Sequence, residues 1–373
     1  MFKFLKRLLI VIVVLVVALA ISAYLFLQRD DFGAAPTGER LKIMERSEHY
    51  ADGEFRNVHP TEMMTGNRTT ASAMYDFFFK EKVRNTPEDT LPSKKIDLKR
   101  LDPEQDVLVW FGHSSYFLQI DGKKILVDPV LSGYAAPVSF LINSFAGTDP
   151  YAYDDLPAID YVFISHDHYD HLDLSTMTAL SSRIGKVICG LGVGAHLEAW
   201  GFTKDQIIEQ DWQQQVQLAD GFVAHTMPAR HFSGRGLKRN TTLWASYVLV
   251  TPTMKLYFGG DSGYDTHFAE IGKQFGAIDL AVLENGQYNE NWRYIHTMPE
   301  ELPKAAKDLN AKQVLAVHSA KFALALHPWD EPLELAAQKA ALGQIPLITP
   351  MIGEPVWLGD SSQQFTLWWK GYN

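Results

Sequence analysis

The chain has 373 residues, 46% hydrophobic and 21% charged, a balance that excludes a disordered tail protein or a collagen-like fibre and calls for a packed core. Its formal net charge of −10 disfavours a nucleic-acid groove, and the single cysteine, Cys189, excludes an intramolecular disulfide. Layered α/β folds run to roughly 250 residues as one unit, so one large domain with appended segments is expected.

Lys3, Lys6 and Arg7 precede an uninterrupted apolar run of 20 residues, Leu8 to Leu27. At about 1.5 Å rise per residue the run matches a hydrocarbon core about 30 Å thick, and it reads as a transmembrane helix. Arg29 is followed at once by Asp30 and Asp31. The positive-inside bias therefore places the N-terminus in the cytoplasm and the rest across the membrane, in the periplasm of a bacterium. Ala18-Leu19-Ala20 resembles a cleavage site, so a removed signal peptide is the alternative. An anchor is preferred, because the run continues past the usual h-region of about 7–15 residues.

From Arg29 to about Gln105 the chain is polar and punctuated by Pro and Gly, with one aromatic patch at Tyr75–Phe79. This predicts a linker and a segment draped over the core, with few regular elements. The expected division is an anchor over 1–29, the draping segment over 30–105 and the main domain over 106–373. Short β-rich runs begin at Val107–Phe111, Tyr116–Ile120 and Lys124–Val127, with Asp121-Gly122 at a hairpin turn. Further strands are predicted at Tyr161–Ile164, Lys186–Cys189, Gln215–Leu218, Phe222–Thr226, Leu243–Val250, Lys255–Phe258, Leu280–Leu283, Val314–Val317 and Val356–Leu358. Thr297, with Glu300 three residues on, predicts a capped helix through about Leu309, and Glu331–Leu342 predicts a second. Many strands with fewer helices imply sheets covered by helices.

The decisive segment is His166-Asp167-His168-Tyr169-Asp170-His171, directly after a predicted strand. With 13 histidines in the chain, a His-x-His-x-Asp-His pattern arises by chance on the order of once in a thousand such chains. Imidazoles and carboxylates are borderline ligands suited to zinc and neighbouring divalent metals, and this loop holds too many for one catalytic ion. His166 and His168 can reach one metal while Asp170 and His171 turn toward a second, about 3.5–4 Å away. His231, Asp261 and His318 each close an apolar run, and residues at successive strand ends meet along one edge of a layered fold. Asp261, behind Gly259 and Gly260, is best placed to bridge. A single closed structural zinc is the bland alternative, and the seven residues overfill it.

These residues resemble the metallo-β-lactamase superfamily of binuclear metal hydrolases. Within it the chain is similar to the branch of the N-acylphosphatidylethanolamine-hydrolysing phospholipase D. The similarity is carried by Trp110 to Ser115, Leu126 to Pro129, Ala229 to His231, Leu243 to Ser246, Gly259 to Tyr264 and His318 to Phe322, with a further match at Arg46 to Phe55. The resemblance implies a four-layer αβ/βα sandwich with 106–373 as the hydrolase domain. By it, His166, His168 and His231 hold one metal, Asp170, His171 and His318 the other, and Asp261 bridges. His296 falls where the family carries a further active-site histidine, a candidate proton donor to the leaving group. Glu284 to Asn289 replaces the family's aromatic and charged block, so Gln287 and Tyr288 are candidate substrate contacts.

The expectation is a membrane-anchored hydrolase with two Zn²⁺, or Mn²⁺ or Fe²⁺, which cleaves a phosphodiester in a phospholipid by attack of a hydroxide shared by the metals, with Asp170 essential to catalysis. A lactonase using the same centre is the alternative. A β-lactamase proper, or a metal-folded envelope protein without catalysis, ranks lower. His113 and Asp128 lie in tight turns and are left outside the ligand set, as groups that orient ligands or brace loops. His49, His59, His196, His225, His267 and His327 lack ligand spacing, and Trp368-Trp369 reads as ordinary packing.

Overall fold

The computed structural model describes residues 1–66 and 68–373. The strands are β1 (Tyr50–Ala51), β2 (Glu54–Phe55), β3 (Val107–Trp110), β4 (Tyr116–Ile120), β5 (Lys123–Val127), β6 (Ile159–Ile164), β7 (Ile184–Gly190), β8 (Ile207–Gln210), β9 (Gln215–Ala219), β10 (Phe222–Met227), β11 (Ser246–Val250), β12 (Lys255–Phe258), β13 (Leu280–Glu284), β14 (Val314–Val317), β15 (Leu347–Ile348) and β16 (Pro355–Trp357). The helices are α1 (Phe2–Leu27), α2 (Gly38–Met44), α3 (Thr70–Phe79), α4 (Leu174–Leu180), α5 (Gly194–Ala199), α6 (His267–Phe275), α7 (Leu302–Asp308) and α8 (Glu331–Gly343).

Alternation along the strands sorts these elements into layers. In β3, Leu108 and Trp110 face one cluster with Tyr247, Phe258, Val282 and Leu315 of the other sheet, while Val107 and Val109 face Met177, Leu180 and Leu197 of α4 and α5. In the second sheet Val248, Tyr257 and Ala281 turn outward onto Phe268, Leu302, Ala305 and Ala336 of α6, α7 and α8. The result is helix, sheet, sheet, helix. The seven-stranded first sheet runs β16-β3-β4-β5-β6-β7-β8 and the seven-stranded second β15-β14-β13-β12-β11-β10-β9. Each is antiparallel in one half and parallel in the other. The parallel strands β5 to β7 and β12 to β14 release their connecting loops along one edge, where the histidine-bearing segments collect.

Most predicted strands stand within a residue or two of their expected bounds. The Asp121-Gly122 turn has φ of 46° and 74°, the doubly left-handed geometry a two-residue hairpin demands. Two predicted elements begin later than expected. The chain at 243–245 crosses to the first sheet, where Leu243 N–H donates to Leu191 C=O and Ala245 N–H to Ser165 C=O, so β11 starts at Ser246. Thr297 does not cap α7, because its hydroxyl donates to Ser262 C=O and its N–H to the Glu284 carboxylate, 2.7 Å each. The helix starts instead at Leu302, beside Pro303. Strands β8 and β15 and helices α4, α5 and α6 were not anticipated.

The segment 30–105 carries more structure than expected, namely α2, the β1-β2 hairpin and α3. It drapes over the domain by burying Met44, Phe55, Leu91 and Leu98 in the two clusters around the first sheet. Trp368 and Trp369 are buried in the core between the sheets, as ordinary packing requires. Helix α1 buries none of its 26 residues and, with mean hydropathy 3.2 over its most apolar window, is long and apolar enough to cross a membrane.

The packing of α6 on α7 depends on Gly272, where an added Cβ would lie 1.9 Å from Asp308 C=O. Gly272→Ala is expected to lower the urea midpoint, at unchanged slope, by the equivalent of about 1–3 kcal/mol, whereas Gly359→Ala shifts it by less than about 0.5 kcal/mol. At Gly359 an added Cβ meets nothing within 4 Å.

Candidate metal centre

Strand β6 ends at Ile164, and the chain folds directly into a tight turn in which His171 and Leu172 N–H groups bond back to His168 C=O. Asp173 then caps α4 by accepting from Ser175 and Thr176 N–H, so strand, turn and helix hold the histidine loop at both ends. His231 follows β10. Its N–H and C=O are both clipped by the Asn57 side chain of the draping segment, at 3.1 and 2.8 Å. Asp261 follows β12 through Gly260, whose φ of +58° and approach to Ser165, 2.6 Å from where a Cβ would sit, require glycine. His318 follows β14. It and His113, behind β3, both take left-handed φ, 68° and 52°, and exchange backbone bonds through His318 N–H to His113 C=O and His113 N–H to Ser319 C=O. Non-glycine residues in this region cost of order 1 kcal/mol each, and the mutual bonds hold them there.

Hydrogen-bond partners orient the rings. His231 Nδ1 faces Ile295 C=O at 2.7 Å and must carry the proton, which leaves Nε2 with a lone pair toward the interior. His171 Nδ1 lies 2.8 Å from Asp128 Oδ2, while its Nε2 is buried without a hydrogen-bond partner. Asp128 also accepts from the Ser165 N–H and hydroxyl at 2.8 and 2.6 Å. The structure thereby gives Asp128 a place that orients His171.

Three groups of donors result, each with ligand atoms within 4.8 Å of one another, and two of them include residues of the histidine loop: His166, His168, His231 and Asp261, and His113, Asp170, His171 and His318. Asp261 faces both. Its Oδ2 lies 3.8 Å from His166 Nε2 and 3.7 Å from His231 Nε2, and its Oδ1 lies 3.2 Å from His171 Nε2 and 3.1 Å from His318 Nδ1. His113, left out of the ligand set from sequence, joins the second group through Nε2, 2.8 Å from Asp170 Oδ2. All seven expected residues are thus brought together.

Burial pushes His166, His231 and His318 well below the ordinary imidazole range and His168 down to about 4, so these rings are neutral with lone pairs available. Burial also opposes charge on His171, yet Asp261, Asp170 and Asp128 around it hold its pKa well above that range. Burial raises Asp261 to about 7. Three carboxylates converging on one buried ring are the charge complement of a cation.

The two groups open onto a cavity of about 320 Å³ whose remaining wall is mostly apolar, from Met63, Met64, Phe77, Phe232, Trp292 and Leu324. His296 lines it, stacked 5.3 Å from the His318 ring, with Nδ1 2.7 Å from Glu284 Oε2. Gln287 also lines it, but its amide is committed to Phe322 C=O and Leu324 N–H. Tyr288 is not brought to the cavity. Its ring packs on His327 and its hydroxyl donates to Glu331, because β13 is followed by a turn that points it at α8. Glu284 was overlooked as a functional group. It is buried, closes β13 and sits in a third donor group with Asp261, His296 and His318. The strand-end rule that selected Asp261 and His318 selects it equally.

The family described as Beta-lactamase superfamily domain matches residues 123–319. An uncharacterized protein of Mycobacterium tuberculosis is 39% identical over 334 residues, covering 88% of this chain and 89% of that protein. The N-acyl-phosphatidylethanolamine-hydrolyzing phospholipase D 1 of Caenorhabditis elegans is 28% identical over 309 residues, 75% of this chain and 86% of its own. In fold, the chain is similar to Igni18, a metallo hydrolase from Ignicoccus hospitalis, at TM-score 0.52 and 21% identity over 68% of this chain and 97% of that one. The chain belongs to the β-lactamase superfamily and has the metallo-β-lactamase fold.

Proposed function

We propose that this protein is a membrane-anchored binuclear zinc hydrolase that cleaves a phosphodiester in a phospholipid, in the manner of a phospholipase D. The observation that carries this reading is the Asp261 carboxylate set between two histidine groups at the floor of a mostly apolar cavity. Donors around one tetrahedral zinc lie roughly 3.3 Å apart for bonds of about 2.0–2.1 Å. The separations of 3.1 to 3.8 Å from Asp261 to His171, His318, His166 and His231 fit such shells. His166, His168 and His231 are assigned to one ion, Asp170, His171 and His318 to the other, and Asp261 to both. His113 orients Asp170, and Asp128 orients His171.

Divalent ions held there would supply a nucleophile from water near neutral pH and offset the charge of a phosphate. The protein's own groups do the rest. The cavity wall of Met63, Met64, Phe77, Phe232 and Trp292 excludes water and receives acyl chains. Arg239, at the same wall, offers a guanidinium to an anionic headgroup. His296 is assigned the proton transfer to the leaving oxygen. Glu284 accepts from its Nδ1 and favours the imidazolium, whose Nε2 proton is the one transferred. Residues 106–373 form the hydrolase domain, 30–105 brace it, and α1 anchors it with the catalytic face in the periplasm. The similarity to the C. elegans phospholipase D supports the substrate class.

Purified full-length protein in detergent is expected to hold two zinc ions per chain by elemental analysis and to hydrolyse N-acylphosphatidylethanolamine in mixed micelles until chelated. Turnover of a lactone with no phosphodiester cleavage would replace this reading by the lactonase. Asp170→Asn is expected to lower kcat by at least about 100-fold at unchanged circular dichroism, measured on the same substrate. His296→Gln separates proton donation from binding. It is expected to cost about 10²–10⁴-fold on an alkyl leaving group and little on bis-p-nitrophenyl phosphate, whose nitrophenolate leaves without a proton.

A further inference from the structure

The residue between the first two histidines of the loop, Asp167, takes no part in either donor group. Its carboxylate is buried and fully engaged by Gly234 N–H at 2.6 Å, Thr242 hydroxyl at 2.8 Å and His196 Nε2 at 3.2 Å. The other ring nitrogen of His196, Nδ1, lies 3.0 Å from the Ala34 N–H. A backbone N–H can only donate, so Nδ1 accepts and Nε2 carries the proton that goes to Asp167. A single relay thus runs from the backbone just beyond α1, through one imidazole, to the peptide that spaces His166 from His168.

A second tie runs beside it. Arg235 donates to Asp31 C=O at 2.9 Å, to Asp167 C=O at 2.8 Å and to Leu172 C=O at 2.6 Å, so one buried guanidinium grips both ends of the histidine loop and the segment after α1. Trp200 donates from its indole to Asp30 C=O at 2.9 Å. Phe32 meets Tyr169 edge to face at 6.4 Å, and Tyr169 is the residue between His168 and Asp170. Gly33 closes the contact. It has φ +68°, and a Cβ there would lie 2.0 Å from His196 Nδ1. No other residue permits this approach.

We infer that Asp30–Ala34 is a positioning latch for the metal-binding loop, acting through His196 and Arg235 to set the spacing of His166 and His168. The inference rests on the assignment of that loop as the metal site. Because the latch begins three residues after α1 ends at Leu27, it also holds the centre at a set distance from the end of the apolar helix. His196 and Gly33 are positioning residues, with no contact to the cavity.

The test uses the full-length chain in detergent, loaded with Co²⁺ against a competing chelator, and reads affinity and the visible absorption band. Gly33→Ala and His196→Leu are expected to keep the parent's far-UV circular dichroism, to bind Co²⁺ about 10–100-fold more weakly and to shift the band. His196→Gln offers an amide oxygen to Ala34 and an amide N–H to Asp167, and is expected to restore parental affinity and spectrum. Folded Gly33→Ala and His196→Leu proteins with parental Co²⁺ affinity and spectrum, changed only in melting temperature, would overturn the latch. A parent chain that binds no Co²⁺ would overturn the metal-site assignment itself. Should His196→Leu fail to fold, Gly33→Ala and His196→Gln decide between these outcomes.

Discussion

The structure turns on one electrostatic constraint, the burial of Asp261, Asp170 and Asp128 around His171 at the edge of two sheets. Unpaired buried charge is expensive, and this cluster is tolerable only where cations and hydrogen-bond donors are aimed at it. Neutral rings at His166, His168, His231 and His318 and the fixed tautomer at His231 follow from that requirement. The same arrangement that suits a divalent cation is what the fold must hold in place at some cost to its own stability.

That cost is visible in the backbone. His113 and His318 both sit at left-handed φ, and Gly260 is pressed against Ser165. Each of these positions lies within three residues of a strand end, where the rigid sheet stops and the chain must turn toward the centre. The layers supply the compensation. Apolar faces of both sheets are fully buried against each other and against α4 to α8, and the strained loops borrow their geometry from that core.

The draping segment links the site to the rest of the molecule. Asn57 clips His231, Met63, Met64 and Phe77 wall the cavity, and Asp30 to Ala34 lie against the histidine loop. A segment that looks like a linker in composition is therefore part of the wall of the cavity and a brace for the donor groups. Its polar residues bond to loop backbone, while its few apolar residues fill gaps that no sheet covers.

Sequence alone determined most of the strand pattern, the apolar helix and the histidine loop with its three strand-end partners. These are local signals, because a side-chain period of two marks a strand and six consecutive positions hold the loop. Tertiary structure alone decided the rest. Which oxygen of Asp261 faces which ring, that His113 leans on Asp170, that Glu284 orients His296 and that Tyr288 turns away to Glu331 all depend on contacts between residues about ten to ninety positions apart. Thr297 illustrates the limit. Its capping signature is sound by local rules, yet the buried Glu284 carboxylate and Ser262 carbonyl claim its donors, and α7 starts elsewhere. His196 is the sharper case. Nothing near it in the chain marks it out, because its partners, Ala34 and Asp167, meet it only when the segment after α1 folds back onto the histidine loop.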